Sequence, residues 1–71
     1  MGTNLQQQIG KRIRERREAL GLTQEELAHR AQSHRTYVGM LERAEKSISV
    51  VALSKFAKAL ETTLSELLEG L

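Results

Sequence analysis

Apolar residues recur at helical spacing along most of the chain, and short polar stretches interrupt them at regular places. Leu5, Ile9, Ile13 and Leu20 share one face of a helix predicted from about Leu5 to Leu20, and Gly21 stands where a left-handed residue would stop it. Thr23 and Glu26 have the TxxE spacing of a capping box, which starts a second helix at about Gln24 to Arg30. In that segment Leu27, Ala28 and Ala31 form a narrow apolar stripe, and the small Ala28 allows another helix to approach closely. The polar triplet Gln32, Ser33 and His34 then breaks the pattern. A third helix, about Arg35 to Arg43, keeps only Val38 and Leu41 as an apolar seam. Residues 44–48 form a loop, and Ser49 caps a fourth helix, about Val50 to Leu60, expected to turn Val50, Leu53, Phe56, Ala57 and Leu60 inward. Thr63 and Glu66 make a second capping box. It opens a short fifth helix with Leu64, Leu67, Leu68 and Leu71 at i, i+3, i+4 and i+7. No strand pattern competes, so the class is all α.

Two charges interrupt these stripes. Arg17 lies four residues after Ile13 on the helix-one face, and Glu42 lies four after Val38 on the helix-three seam. Charges so near a core are seldom left unpaired, so an Arg17–Glu42 ion pair joining the first and third helices is expected; if well buried, loss of either partner costs on the order of 3 kcal/mol. The alternative is that both side chains reach out to water.

At 71 residues the chain is expected to be one small domain with a marginal core, for which oligomerisation is a common remedy. Cysteine is absent and the two histidines, His29 and His34, make no zinc cluster, so neither disulfides nor a metal site is expected. The apolar runs are too short for a membrane span, and the start MGTNLQQQ has no signal-like apolar region, which points to the cytoplasm. No nucleophile–base constellation or phosphate-cradling glycine loop is present; an enzyme, a cofactor or a small-molecule ligand is not expected. The net charge is +2, but residues 1–46 carry nine Lys/Arg against six Glu (net +3), while residues 47–71 carry two Lys against three Glu (net −1). The basic half contains the third helix, whose His34, Arg35, Thr36, Gly39, Met40 and Arg43 have no apolar duty. Such a helix suits contact with a polyanion.

With the segments IGKRIRERREALGLTQEELA, HRTYVGMLER and LSKFAKALETTLSELL in this order, the sequence resembles the Cro/CI-type helix-turn-helix family of bacterial and phage regulators. The resemblance covers almost the whole chain. It implies a compact, lambda-repressor-like bundle of five helices, with a helix-turn-helix at about residues 23–43 that binds double-stranded DNA. Many members pair a charged residue of helix one with a Glu late in helix three, and the matching positions are Arg17 and Glu42. The wording RTYVGMLER and the short length are also similar to controller proteins of restriction-modification systems. The sequence departs from the family pattern at Gln32 and Ala44, where glycines are usual, at Ser33, usually apolar, and at Ile48, commonly proline. A left-handed Gln32 or Ala44 costs about 1 kcal/mol, so the angle of the reading helix is where a departure is expected.

In this family the second helix of the motif enters the major groove with its N-terminal residues at base edges. Arg35 is the leading candidate for base readout, with a phosphate contact as its alternative. Thr36, Gly39 and Met40 are further base-reading candidates, through a hydroxyl or contact with a thymine methyl, although Thr36 could instead cap the helix. His34 is either a contact from the helix start or a capping or exposed residue. His29 is an ordinary surface residue. Gln24 matches a family position that meets phosphate at a helix N-terminus. Tyr37, Arg43 and Lys46 are assigned to the DNA backbone, Tyr37 with a half-core alternative. The run KRIRERRE, with interleaved Glu15 and Glu18, reads as a solvated face. Ile48, Val51, Leu68 and Leu71 have no evident place in a monomer core and are expected to build a homodimer interface, pairing two reading helices on a palindromic operator. The expected function is a transcriptional repressor or activator. The alternatives are the antitoxin of a toxin pair and a helical protein-interaction adaptor that binds no DNA.

Overall fold

The computed structural model describes residues 4–71, so the first three residues of the polar start lie outside it. Five helices follow in order: α1 (Leu5–Ala19), α2 (Gln24–Arg30), α3 (Arg35–Glu42), α4 (Val50–Ala59) and α5 (Leu64–Leu67). No strand occurs among the described residues. Local hydrogen bonding sets most of the boundaries. Asn4 with Gln7, Thr23 with Glu26, and Thr63 with Glu66 each form a reciprocal capping box, and the Ser49 hydroxyl accepts from the Ala52 backbone N–H. The bonds to Thr23 and to Thr62 and Thr63 hold the Glu26 and Glu66 carboxyls below the usual glutamate range.

Helices α1 to α4 end alike. After each, one residue turns left-handed, and its own amide and the next bond back to the last turn: Gly21 and Leu22 to Glu18 and Arg17, Gln32 and Ser33 to His29 and Ala28, Ala44 and Glu45 to Leu41 and Met40, Glu61 and Thr62 to Lys58 and Ala57. This is the Schellman arrangement, and only the first uses glycine. Gln32 (φ 56°), Ala44 (φ 60°) and Glu61 (φ 59°) adopt the conformation with a side chain present.

The core gathers Ile13, Leu27, Ala28, Ala31, Val38, Leu41, Leu53, Phe56, Ala57, Ala59, Leu60 and Leu67. Two residues of the predicted stripes lie outside this core, and the fifth helix is shorter than expected. Val50 is 69 % exposed: it stands in the first turn of α4, whereas Leu53, Phe56, Ala57, Ala59 and Leu60 further along are buried. Leu5 is 58 % exposed in the first turn of α1, beyond the reach of the core. Leu71 lies outside α5, which stops at Leu67, and Gly70 turns the chain at φ 83°.

Helix α1 is the element on which the others rest. Its long side chains supply donors to carbonyls that the later helices leave free at their C-terminal ends. The Gln6 amide donates to Ala44 O at 3.2 Å, Arg12 Nη1 to Leu67 O at 3.0 Å, Arg16 Nε to Leu60 O at 2.9 Å and Arg16 Nη2 to Glu61 O at 3.0 Å. Half of the KRIRERRE face is therefore structural rather than solvated. Gly10 is buried where α1 meets the end of α3; a Cβ there would collide with Leu41 O and stand 3.0 Å from Glu42 O. Both neighbours are backbone atoms, which cannot rotate away. Gly10→Ala is expected to destabilise the fold by about 1–3 kcal/mol through overpacking, even though alanine is the better helix former; urea unfolding measures this, and an unchanged or raised midpoint would refute the close approach.

Candidate nucleic-acid interface

Helices α2 and α3 pack against each other and share Val38, Leu41, Leu27 and Ala28 with the core. The turn between them is 31–34, with left-handed Gln32 at its centre, so the departure foreseen at the usual glycine takes the form of a strained residue whose backbone bonds are intact. His34 is the N-cap of α3 but makes no side-chain capping bond. The capping alternatives for His34 and for Thr36 are thus not what the geometry shows. His34, Arg35 and Thr36 are all exposed at the start of α3, a contiguous group with no packing role.

Arg17 and Glu42 fix this helix from behind. Arg17 Nε donates to Glu42 Oε2 at 2.7 Å and Arg17 Nη2 to Glu42 Oε1 at 3.0 Å, in the fork geometry that favours arginine with carboxylate. Their side chains are 11 % and 3 % exposed, so neither reaches out to water. Arg17 Nη1 donates to Leu22 O at 2.7 Å, and the Gln24 amide donates to Glu42 Oε1 at 3.1 Å. One carboxylate thus ties α1, the α1–α2 turn, the start of α2 and the end of α3. The hydrogen bond to Glu42 raises the Arg17 pKa above its ordinary value against an opposing effect of burial. Among the described residues no buried side-chain nitrogen or oxygen lacks a partner.

The other candidate residues divide by placement. Gln24 is half-buried, its amide committed to Glu42, which leaves the backbone at the start of α2 as its open part. Tyr37 is half-buried with its ring 6.2 Å from that of Phe56, tilted by 44°, so much of the side chain is core. Met40 is half-buried and Lys46 exposed. Gly39 does not offer a bare surface: it is buried, and a Cβ there would stand 3.0 Å from Arg43 Nη1 and 3.5 Å from Gln24 Oε1. Arg43 is exposed and forked by Glu45, with Nε and Nη2 donating at 3.0 and 3.2 Å. Each partner favours the charged form of the other, so Arg43 is shifted up and Glu45 down. Glu45 escaped notice in the sequence because nothing in periodicity marks an i, i+2 pair in a loop. Ile48 and Leu68 are half-buried against the core, contrary to the view that they lack a place in it, whereas Val51 is 72 % exposed and Leu71 partly so. No group of three or more His, Asp or Glu suited to a metal ion occurs among the described residues.

The fold and this helix pair define the class. A helix-turn-helix family model matches residues 13–67, and the chain belongs to that family. It is 38 % identical over 60 residues, 84 % of this chain and 71 % of the relative, to the control protein C.SmaI of Serratia marcescens. The crystal structure of the restriction-modification controller protein C.AhdI from Aeromonas hydrophila is similar with a TM-score of 0.83 and 43 % identity, covering 86 % of this chain and 88 % of that one. The controller protein C.Esp1396I, solved as a tetramer with its natural 35-base-pair operator, is similar with a TM-score of 0.85 at 28 % identity, covering 94 % of this chain and 92 % of that one. The chain is a helix-turn-helix transcriptional regulator of the restriction-modification control type.

Breaking the buried network should be costly. Glu42→Gln leaves the enclosed Arg17 guanidinium with only the exposed Glu18 carboxylate, 4.0 Å from Nη2, as counter-charge, and is expected to lower stability by about 3 kcal/mol, measured by urea unfolding; an unchanged midpoint would mean that the pair contributes nothing.

Proposed function

We propose that this regulator binds operator DNA as a homodimer, each protomer placing α3 in the major groove of one palindromic half-site. The observation that carries this reading is the exposed group His34, Arg35 and Thr36 at the start of a helix whose opposite face is anchored by Glu42. Side chains on a rigid element can discriminate between base edges; the same side chains on a mobile loop would meet phosphates wherever they lay. Arg35 reads a guanine edge, Thr36 a neighbouring base, and the backbone N–H groups at the start of α2 receive a phosphate, favoured there by the helix dipole. Arg43 and Lys46 add backbone contacts. Tyr37 contributes mainly by holding α3 to Phe56. The C.Esp1396I tetramer–operator structure supports the assignment of DNA as the partner.

In an assay against the DNA upstream of its own gene, affinity should fall steeply with salt. Arg35→Ala should lower the preference for this site over a scrambled duplex by about 1–3 kcal/mol. An adaptor would show no salt-dependent DNA binding, and equal loss on both duplexes would reduce Arg35 to a phosphate contact.

One short helix reads few base pairs, and two-fold pairing on half-sites about one helical turn apart extends the readout. Exposed Val51 and Leu71, with the half-buried Ile48 and Leu68, are the apolar residues proposed for that pairing. Sedimentation at micromolar concentration should give a dimer, and Val51→Glu a monomer that is still folded. A wild-type monomer that also fails to pair on DNA would refute the interface.

A further inference from the structure

Arg43 ends α3, yet its guanidinium folds back along the helix instead of extending from it. The position a residue-39 Cβ would take is 3.0 Å from Arg43 Nη1 and 3.6 Å from Nη2, so the guanidinium lies in space that only glycine leaves free. Gln24 Oε1 is 3.5 Å from the same point, which puts Arg43 in the notch between α3 and the start of α2. Glu45 completes the arrangement by accepting from Nε and Nη2. Among the described residues Nη1 has no hydrogen bond, and it is the one edge of the guanidinium left open.

The Arg43–Glu45 pair is a poor candidate for a stabilising contact. The two side chains are about half exposed, and exposed pairs contribute little to stability. Beside a DNA-binding helix a carboxylate also repels phosphate, which weakens binding to every sequence. A group that lowers affinity for all DNA while orienting a cation raises the difference between right and wrong sites, and this difference is what specificity requires.

We propose that Gly39 and Glu45 are positioning residues that pin the Arg43 guanidinium in the α2–α3 notch, so that its free Nη1 meets a single operator phosphate in the correct register and grips other DNA poorly. The inference rests on α3 being the DNA-reading helix. An arginine free to sweep the surface would find a phosphate on any duplex. A pinned one finds it only where base contacts have already set the protein's position, as phosphate contacts fix register without reading sequence.

The test compares a duplex selected from a random pool by the wild-type protein with a scrambled duplex of equal length, using variants shown by circular dichroism to be folded. Glu45→Ala should bind the scrambled duplex more tightly, steepen its slope of log K against log salt by about 0.9, the value of one phosphate, and reduce the selected-to-scrambled ratio. Gly39→Ala, which displaces the guanidinium with Glu45 still present, should reduce the same ratio. In an Arg43→Ala background Glu45→Ala should leave the ratio unchanged. If Glu45→Ala tightens both duplexes equally, or its effect on the ratio persists without Arg43, the positioning role is overturned and Glu45 acts only through its charge. If the wild-type protein selects no duplex at all, the DNA-reading function fails, and this inference with it.

Discussion

Glu42 accepts three hydrogen bonds in a site almost closed to water, and the orientation of α3 depends on it. Burying a carboxylate in so small a protein is expensive unless every acceptor direction is used and an opposite charge lies against it. Arg17 supplies the charge and two of the bonds, and Gln24 supplies the third. An apolar contact at the same place would hold the helices together, but it would tolerate sliding and rotation. The fork between guanidinium and carboxylate does not, because a small rotation of α3 breaks one of its two parallel bonds. The network therefore fixes orientation more than it adds stability.

The same economy of charge explains how a protein with a formal net charge of +2 can present a cationic face. Arg12 and Arg16 cap carbonyls at the ends of α5 and α4, Arg17 is consumed by Glu42, and Arg30 donates to Ala59 O and to Glu61. These arginines are structural cations, held to partners with defined geometry. Around α3 the exposed cations are Arg35, Lys46 and Arg43. A uniformly basic surface would bind DNA without regard to sequence, since phosphate contacts carry the salt-dependent, sequence-independent share of affinity. Committing the four structural arginines to internal partners leaves fewer cations for sequence-independent grip and more room for base contacts to decide.

Much of this architecture was legible in the sequence, and the reason is local. Capping boxes at Thr23 and Thr63 and the cap at Ser49 are short-range patterns, so the starts of α2, α4 and α5 follow directly from residue types. The Arg17–Glu42 pair was inferable because each residue violates a helical stripe. What could not be read depends on long-range placement. Arg12 meets Leu67 O, and Gly10 meets the end of α3, across separations that periodicity does not encode. Gly39 appeared to be open surface because no spacing rule shows a side chain folding back over it. Val50 has the right type and spacing for the core, but it opens α4 and stands in its first turn, 69 % exposed.

The three left-handed residues without glycine bear on the same balance between fold and function. Gln32, Ala44 and Glu61 each accept about 1 kcal/mol or more of backbone strain at a helix end. Glycine would relieve it, but glycine would also widen the range of angles open to the turn in the unfolded and partly opened chain. At Gln32 that turn sets how α3 leaves α2, and at Ala44 it sets where Glu45 stands relative to Arg43. Both ends of α3 are thus closed by residues whose side chains narrow the conformations available, while Glu42 clamps its concealed face. Strain at the turns is sustainable because the buried network and the Schellman bonds over-determine the geometry around them. In a domain with so small a core, that local redundancy, more than the apolar interior, keeps α3 at one angle.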